Sequence, residues 1–141
     1  MNEELQRYLD GVVPVRRRAD AGTLLDLMSR VTGESPRMWG TIVGFGEYHY
    51  RYDSGRQGSA PAAGFAARKA ASTIYLPDGV AMHGEALSRL GPHGTGVGCL
   101  YIKDLGTVDL AVLESIVARS YLTVTADTWP HRARDGGGAT N

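Results

Sequence analysis

The sequence predicts an α+β fold: an antiparallel sheet of about four strands with helices packed on one face. Three observations predict it. Two segments repeat apolar residues at helical spacing, residues 24, 27, 28 and 31 in the first and 110, 113, 117 and 121 in the second. Between them lie short runs rich in β-branched and aromatic residues, broken by glycine and proline. Most neighbouring strands are joined by short turns, which argues for antiparallel pairing. The chain of 141 residues, 43% apolar, is long enough for one domain with a buried core of its own.

Residues 1–17 read as an N-terminal leader. Leu5, Tyr8 and Leu9 form a short apolar stripe, and Arg16, Arg17 and Arg18 read as a solvated patch or a contact for phosphate. The domain proper spans residues 18–124. Its first helix is expected over 20–32, with Leu24, Leu27, Met28 and Val31 inward, Asp20 as N-cap and Gly33 as left-handed C-cap. Residues 42–52 read as a long strand bent at Gly44 and Gly46, followed by a polar loop through Pro61. Short strands follow at 64–68, 73–76 and 98–102. A helix is expected over 80–90, with Met82, Ala86, Leu87 and Leu90 on one side and Gly91-Pro92 as its stop. The last helix carries Leu110, Leu113, Val117 and Tyr121, widened by Val112 and Ile116, with Thr107 or Asp109 as its cap. Residues 125–141 end in DGGGATN, have little to bury and read as a disordered tail.

Composition narrows function. Fifteen basic side chains balance fifteen acidic ones, so no global field draws the chain to nucleic acid. A single cysteine, Cys99, excludes an internal disulfide and a multi-cysteine metal site. No apolar run is long enough for a membrane span and no signal peptide opens the chain, so a cytoplasmic location is expected. Thirteen arginines against two lysines suggest a GC-rich bacterial source.

The sequence carries none of the common catalytic motifs. His49, His83, His93 and His131 have no metal-ligand spacing. The loop from Gly91 to Gly96 places Val97 and Gly98 where a phosphate loop needs Lys and Ser or Thr, although His93 within it could touch an anion. Cys99 lies in an apolar strand, where cysteine behaves as a small hydrophobe unless a cation activates it. No nucleophile elbow occurs and no two carboxylates are forced together, so no catalytic residue is assigned.

Strand alternation gives the sharper expectation. Ile74 and Leu76 share one side of their strand, Thr73 and Tyr75 the other; Leu100 and Ile102 oppose Cys99 and Tyr101 in the same way. The aliphatic set belongs under the helices. That leaves Tyr75, Cys99 and Tyr101 on the uncovered face. If Tyr48 and Tyr50 of the long strand join them, the face is tyrosine-rich and edged by Arg68, Lys69 and Lys103. The competing reading is ordinary cross-strand packing of rings.

Three segments, MWGTIVGFGEYHYRYDSG (38–55), GFAARK (64–69) and TGVGCLYIK (95–103), resemble the YdhG-like domain family over about residues 18–120. This bacterial family is largely of unknown function and includes a frataxin-like iron chaperone. The resemblance singles out Trp39, Gly44, Phe45, Gly46, Ser54, Gly55, Gly64, Phe65 and Gly96. Its polar remainder is Tyr48, Tyr50, Arg68, Lys69, Thr95, Cys99, Tyr101 and Lys103. With Tyr75 from the alternation, these are the candidate ligand-binding residues; no metal ligand is assigned. The resemblance implies a non-enzymatic binding module for intracellular iron handling or partner docking. It would bring iron as the sole cofactor, with Asp20 and Asp26 as the carboxylates on offer. The alternative is a protein that binds a small anionic or aromatic ligand on the tyrosine face. Expected partners are thus a small ligand, a protein or a second copy of the chain; nucleic acid and membrane are not expected.

Overall fold

The structure, a computed structural model, describes residues 2–130 and is α+β with an antiparallel sheet. Helices α1 (Glu3–Asp10) and α2 (Val15–Thr32) precede strands β1 (Pro36–Trp39), β2 (Ile42–Arg51), β3 (Gln57–Ala67) and β4 (Ser72–Tyr75). A 3-10 turn (Val80–His83), helix α3 (Gly84–Leu87), strands β5 (Gly94–Thr95) and β6 (Cys99–Ile102), a second 3-10 turn (Leu105–Thr107) and helix α4 (Leu110–Thr125) complete it. The sheet has six strands rather than about four, in the order β1-β2-β3-β4-β6-β5. The two extra strands are the edges. Both were hidden because β1 opens on a proline and β5 is two residues inside a glycine loop, neither with an alternating pattern.

The helices account for the core. Leu24 and Met28 of α2 and Leu113, Ile116 and Val117 of α4 pack on Val43, Phe45, Phe65, Ile74, Leu76, Leu100 and Ile102, all essentially removed from water. Burying each such side chain contributes on the order of 1.5–3 kcal/mol. The last helix is turned slightly from the expected stripe: Leu110 stays 38% exposed, while Val112 and Ile116 are buried. Asp109 caps it, accepting from the N–H groups of Ala111 and Val112.

Helix α2 begins five residues earlier than expected. Pro14 stands at its N-cap, and Gly33 closes it in the left-handed conformation at φ 71°. Asp20 is therefore not a cap. It lies inside the helix, buried, and accepts from the Leu105 N–H at 3.1 Å. The segment read as a leader is packed as well: Leu5 is fully buried, and Tyr8 Oη accepts from the Ala67 N–H at 2.9 Å.

Two further expectations change. The polar loop through Pro61 is strand from Gln57 onward, paired with β2 in one continuous register from Val43↔Phe65 to Arg51↔Gln57. The helix over 80–90 is a 3-10 turn followed by the single turn of α3, and Met82 is 45% exposed. Of the expected tail, residues 131–141 and with them His131 lie outside the described residues. Trp129 runs beside β2, donating to the His49 carbonyl and accepting from the Arg51 N–H. Among the described residues no helix is long and apolar enough to cross a membrane.

Candidate functional site

Register places the candidate residues. β4 and β6 pair Thr73 with Tyr101 and Tyr75 with Cys99, while Ile74 faces Leu100. Ile74 and Leu100 are fully buried in the helical core. Tyr75 and Cys99 are half-buried and Tyr101 is 39% exposed on the other face of the sheet. Arg68, just past β3, donates through Nη2 to the Tyr75 hydroxyl at 3.2 Å. Arg68, Tyr75, Cys99 and Tyr101 are thus neighbours.

Their electrostatics is that of a quiet surface. Burial pushes the Cys99 thiol up, although a hydrogen bond with Tyr101 and the Arg68 charge pull it the other way. A thiol held protonated is a poor nucleophile. Arg68 is raised chiefly by its bond to Tyr75, and Tyr101 chiefly by the neighbouring Cys99.

Tyr48 and Tyr50 do not join this face. Gly46 adopts φ 67°, and beyond it the buried positions of β2 change from Val43 and Phe45 to Tyr48 and Tyr50. Those two rings pack with Ala62 and Val124, flanked by Tyr52, Tyr121 and Trp129. The reason is physical: the end of α4 and the chain beyond it supply a second apolar cover that the strand pattern alone does not reveal. Lys69 is exposed in the turn after β3, and Thr95 is exposed on β5 opposite Leu100.

Beside Tyr101 the sheet edge opens into a cleft of about 540 Å³. It is lined by Ala71, Pro92, His93, Gly94, Tyr101, Lys103, Asp104 and Thr107. Gly94 pairs with Tyr101 and Gly96 lies beside its phenol, where an added Cβ would stand 3.0 Å from the hydroxyl oxygen. The glycines therefore leave the ring uncrowded. Gly91, at φ 115°, lets the loop sit down on the Thr107 carbonyl, 2.9 Å from where a Cβ would be. His93 is held by a 2.7 Å bond between Nδ1 and the Gly91 carbonyl. Asp104 Oδ1 accepts from the Gly106 N–H at 2.9 Å, and the Thr107 hydroxyl donates to the Asp104 carbonyl at 2.7 Å. Of the expected site residues, Tyr101 and Lys103 line this cleft; His93 entered as an anion contact, whereas Asp104 and Thr107 were not foreseen.

Arg17 anchors the region from behind. Its guanidinium, buried within α2, donates to the carbonyls of Arg68 and Lys103, and Nη1 stands 3.5 Å from Asp20 Oδ2. The arginine run is therefore not a uniform surface patch: Arg17 is 5% exposed, and Arg18 bonds the carbonyls of Asp10 and Val12.

Two other clusters offer less. Asp78, His83 and Ser120 form a buried network. The Ser120 hydroxyl donates to Asp78 at 2.6 Å, and His83 Nε2 bonds the same carboxylate at 2.9 Å. The serine hydroxyl bonds the carboxylate and not the imidazole, so it lacks the serine–histidine pairing of a nucleophile. A recess of about 290 Å³ lined by Glu34, Arg37, Trp39 and Glu47 has its aromatic surface already covered, with the Arg37 guanidinium 4.2 Å above the indole. Among the described residues no three His, Cys, Asp or Glu side chains gather as metal ligands. Comparison with family models, with curated proteins and with solved structures finds no match to this chain.

Proposed function

We propose that the chain is a binding module, not a catalyst, and that it holds a small ligand with an anionic group in the cleft beside β5 and β6. One observation carries the reading: an ammonium (Lys103) and an exposed ring (Tyr101) line one hollow at a sheet edge. Its volume is typical of small-molecule sites, and a few polar groups on an apolar wall are what such sites use for orientation. The raised Cys99 thiol and the carboxylate-bound Ser120 favour binding over covalent chemistry. Resemblance to the YdhG-like family, with its bacterial and cytoplasmic setting, belongs to the same proposal. Iron handling draws less support from the residues. Asp20 is committed to Arg17 and Leu105, which leaves Asp26 exposed on α2 without a second free carboxylate of the pair.

The test is a nitrogen-15 amide NMR titration of the full chain with benzoate and, separately, with ferrous iron under reducing conditions. Benzoate is expected to shift the amides of His93, Gly94, Tyr101 and Lys103. Lys103→Gln should weaken it about tenfold, the worth of one charge-assisted hydrogen bond. Silence at these amides, or shifts confined to the α2 carboxylates on adding iron, overturns the reading.

A further inference from the structure

We infer that the ligand of this cleft is a zwitterion with an aromatic group, of the chemical class of the aromatic α-amino acids. The inference rests on the cleft reading above and adds the charge pattern of the ligand.

The hollow carries both signs of charge, since Lys103 and Asp104 both line it. Each polar group has a settled capacity. Asp104 spends Oδ1 on the Gly106 N–H, and Oδ2 has no protein donor among the described residues. The Nδ1 of His93 bonds the Gly91 carbonyl, an acceptor, so Nδ1 carries the proton in the neutral ring and Nε2 is left as an acceptor. The Thr107 hydroxyl donates to the Asp104 carbonyl, so its oxygen too can only accept further.

With the Tyr101 hydroxyl engaged by Cys99, the lining residues carry one strong donor, Lys103 Nζ, and three atoms left to accept: Asp104 Oδ2, His93 Nε2 and Thr107 Oγ1. A purely anionic ligand would satisfy the lysine and set its own charge against Asp104. A purely cationic one would meet the reverse conflict. A molecule with a carboxylate for Lys103 and an ammonium, three N–H donors, for the acceptors satisfies both halves. The remaining wall is apolar: the Tyr101 ring, uncrowded by Gly94 and Gly96, with Ala71 and Pro92. Among the described residues no other ring stacks on Tyr101, so an aromatic group on the ligand supplies the missing partner.

The experiment uses the full chain and three probes that differ by one group: L-phenylalanine, 3-phenylpropionate without the amine, and 2-phenylethylamine without the carboxylate. Amide shifts at His93, Gly94, Tyr101 and Asp104 give each affinity. Phenylalanine is expected to bind roughly tenfold or more tightly than either fragment. Asp104→Asn keeps an oxygen for the Gly106 N–H and so keeps the turn. It should cost phenylalanine about tenfold and leave phenylpropionate unchanged or tighter. Equal affinity for phenylalanine and phenylpropionate, or indifference of phenylalanine to Asp104→Asn, overturns the zwitterion inference while the anion cleft stands. If none of the three probes nor benzoate moves these amides, both readings fall.

Discussion

Arg17 holds Lys103 by its backbone: Nη1 of the buried guanidinium donates to the Lys103 carbonyl at 2.7 Å. The same side chain donates through Nε to the Arg68 carbonyl at 3.0 Å, so one residue of α2 fixes the chain where β3 and β6 end. The cation that lines the cleft and the cation on Tyr75 thus share one anchor. A buried guanidinium is tolerable because its charge has Asp20 at 3.5 Å and its N–H groups have carbonyls.

Removing that anchor should be costly. Arg17→Met leaves the Asp20 carboxylate without its cation and two carbonyls without a donor, a loss of about 3–5 kcal/mol. Arg17→Lys should recover little, because an ammonium cannot reproduce the planar fork that reaches both carbonyls. Adding Asp20→Asn to Arg17→Met should restore part of the loss, since the amide oxygen still accepts from Leu105 and the stranded charge is gone. Urea unfolding of the three variants measures this. A loss under about 1 kcal/mol for Arg17→Met, the range of an exposed ion pair, would refute the anchor.

Arg17 also marks where the sequence stops being legible. Periodicity located α2 and α4, and local chemistry located the Gly33 cap and narrowed the cap of α4 to Thr107 or Asp109, because those signals lie within a few residues of each other. Alternation sorted Ile74 and Leu100 from Tyr75 and Tyr101 for the same reason. Arg17 meets Lys103 across 86 positions, and nothing in three consecutive arginines tells which one turns inward. The tyrosines of β2 failed differently. Gly46 reads as a bend in the sequence, but which side Tyr48 and Tyr50 take depends on its left-handed conformation and on cover from Val124, far along the chain. The cleft was half legible: Tyr101 and Lys103 followed from strand and motif, whereas Asp104 and Thr107 come from a 3-10 turn without a sequence signal.

Glu34 and Tyr121 give a pH prediction. The Tyr121 hydroxyl donates to Glu34 Oε2 at 2.7 Å, and that bond, with burial and the carboxylate charge, pushes the phenol up to about 12. The folded state therefore favours the protonated phenol more than the unfolded chain does. The resulting stabilisation is full below the ordinary tyrosine value near ~10 and is lost as pH rises through about 12. Glu34→Gln should return Tyr121 toward the ordinary value. The stability difference between wild type and this variant should then shrink between about pH 10 and pH 12. Tyrosine-resolved carbon-13 NMR gives the titration and urea unfolding gives the difference. A Tyr121 that titrates like an exposed tyrosine would show the bond to be unimportant.

Cys99 provides the last prediction, and it bears on whether the sheet face binds or reacts. As the only cysteine of the chain, it reports alone to any thiol reagent. Burial raises its thiol first, while the hydrogen bond with Tyr101 and the charge of Arg68 partly offset that rise. Arg68→Gln removes the cation and Tyr101→Phe removes the hydroxyl, so each should raise the thiol further. The rate with a neutral disulfide reagent should therefore fall below wild type at about pH 8 in both variants, because the thiolate is the attacking form. Greater access in Tyr101→Phe would act in the opposite direction, so the pH at half-maximal rate is the quantity to compare. A midpoint that stays put in Arg68→Gln would mean that the guanidinium does not act on the sulfur. A wild-type midpoint below neutrality would put a ready nucleophile beside the cleft and turn the proposal from holding a ligand to acting on it.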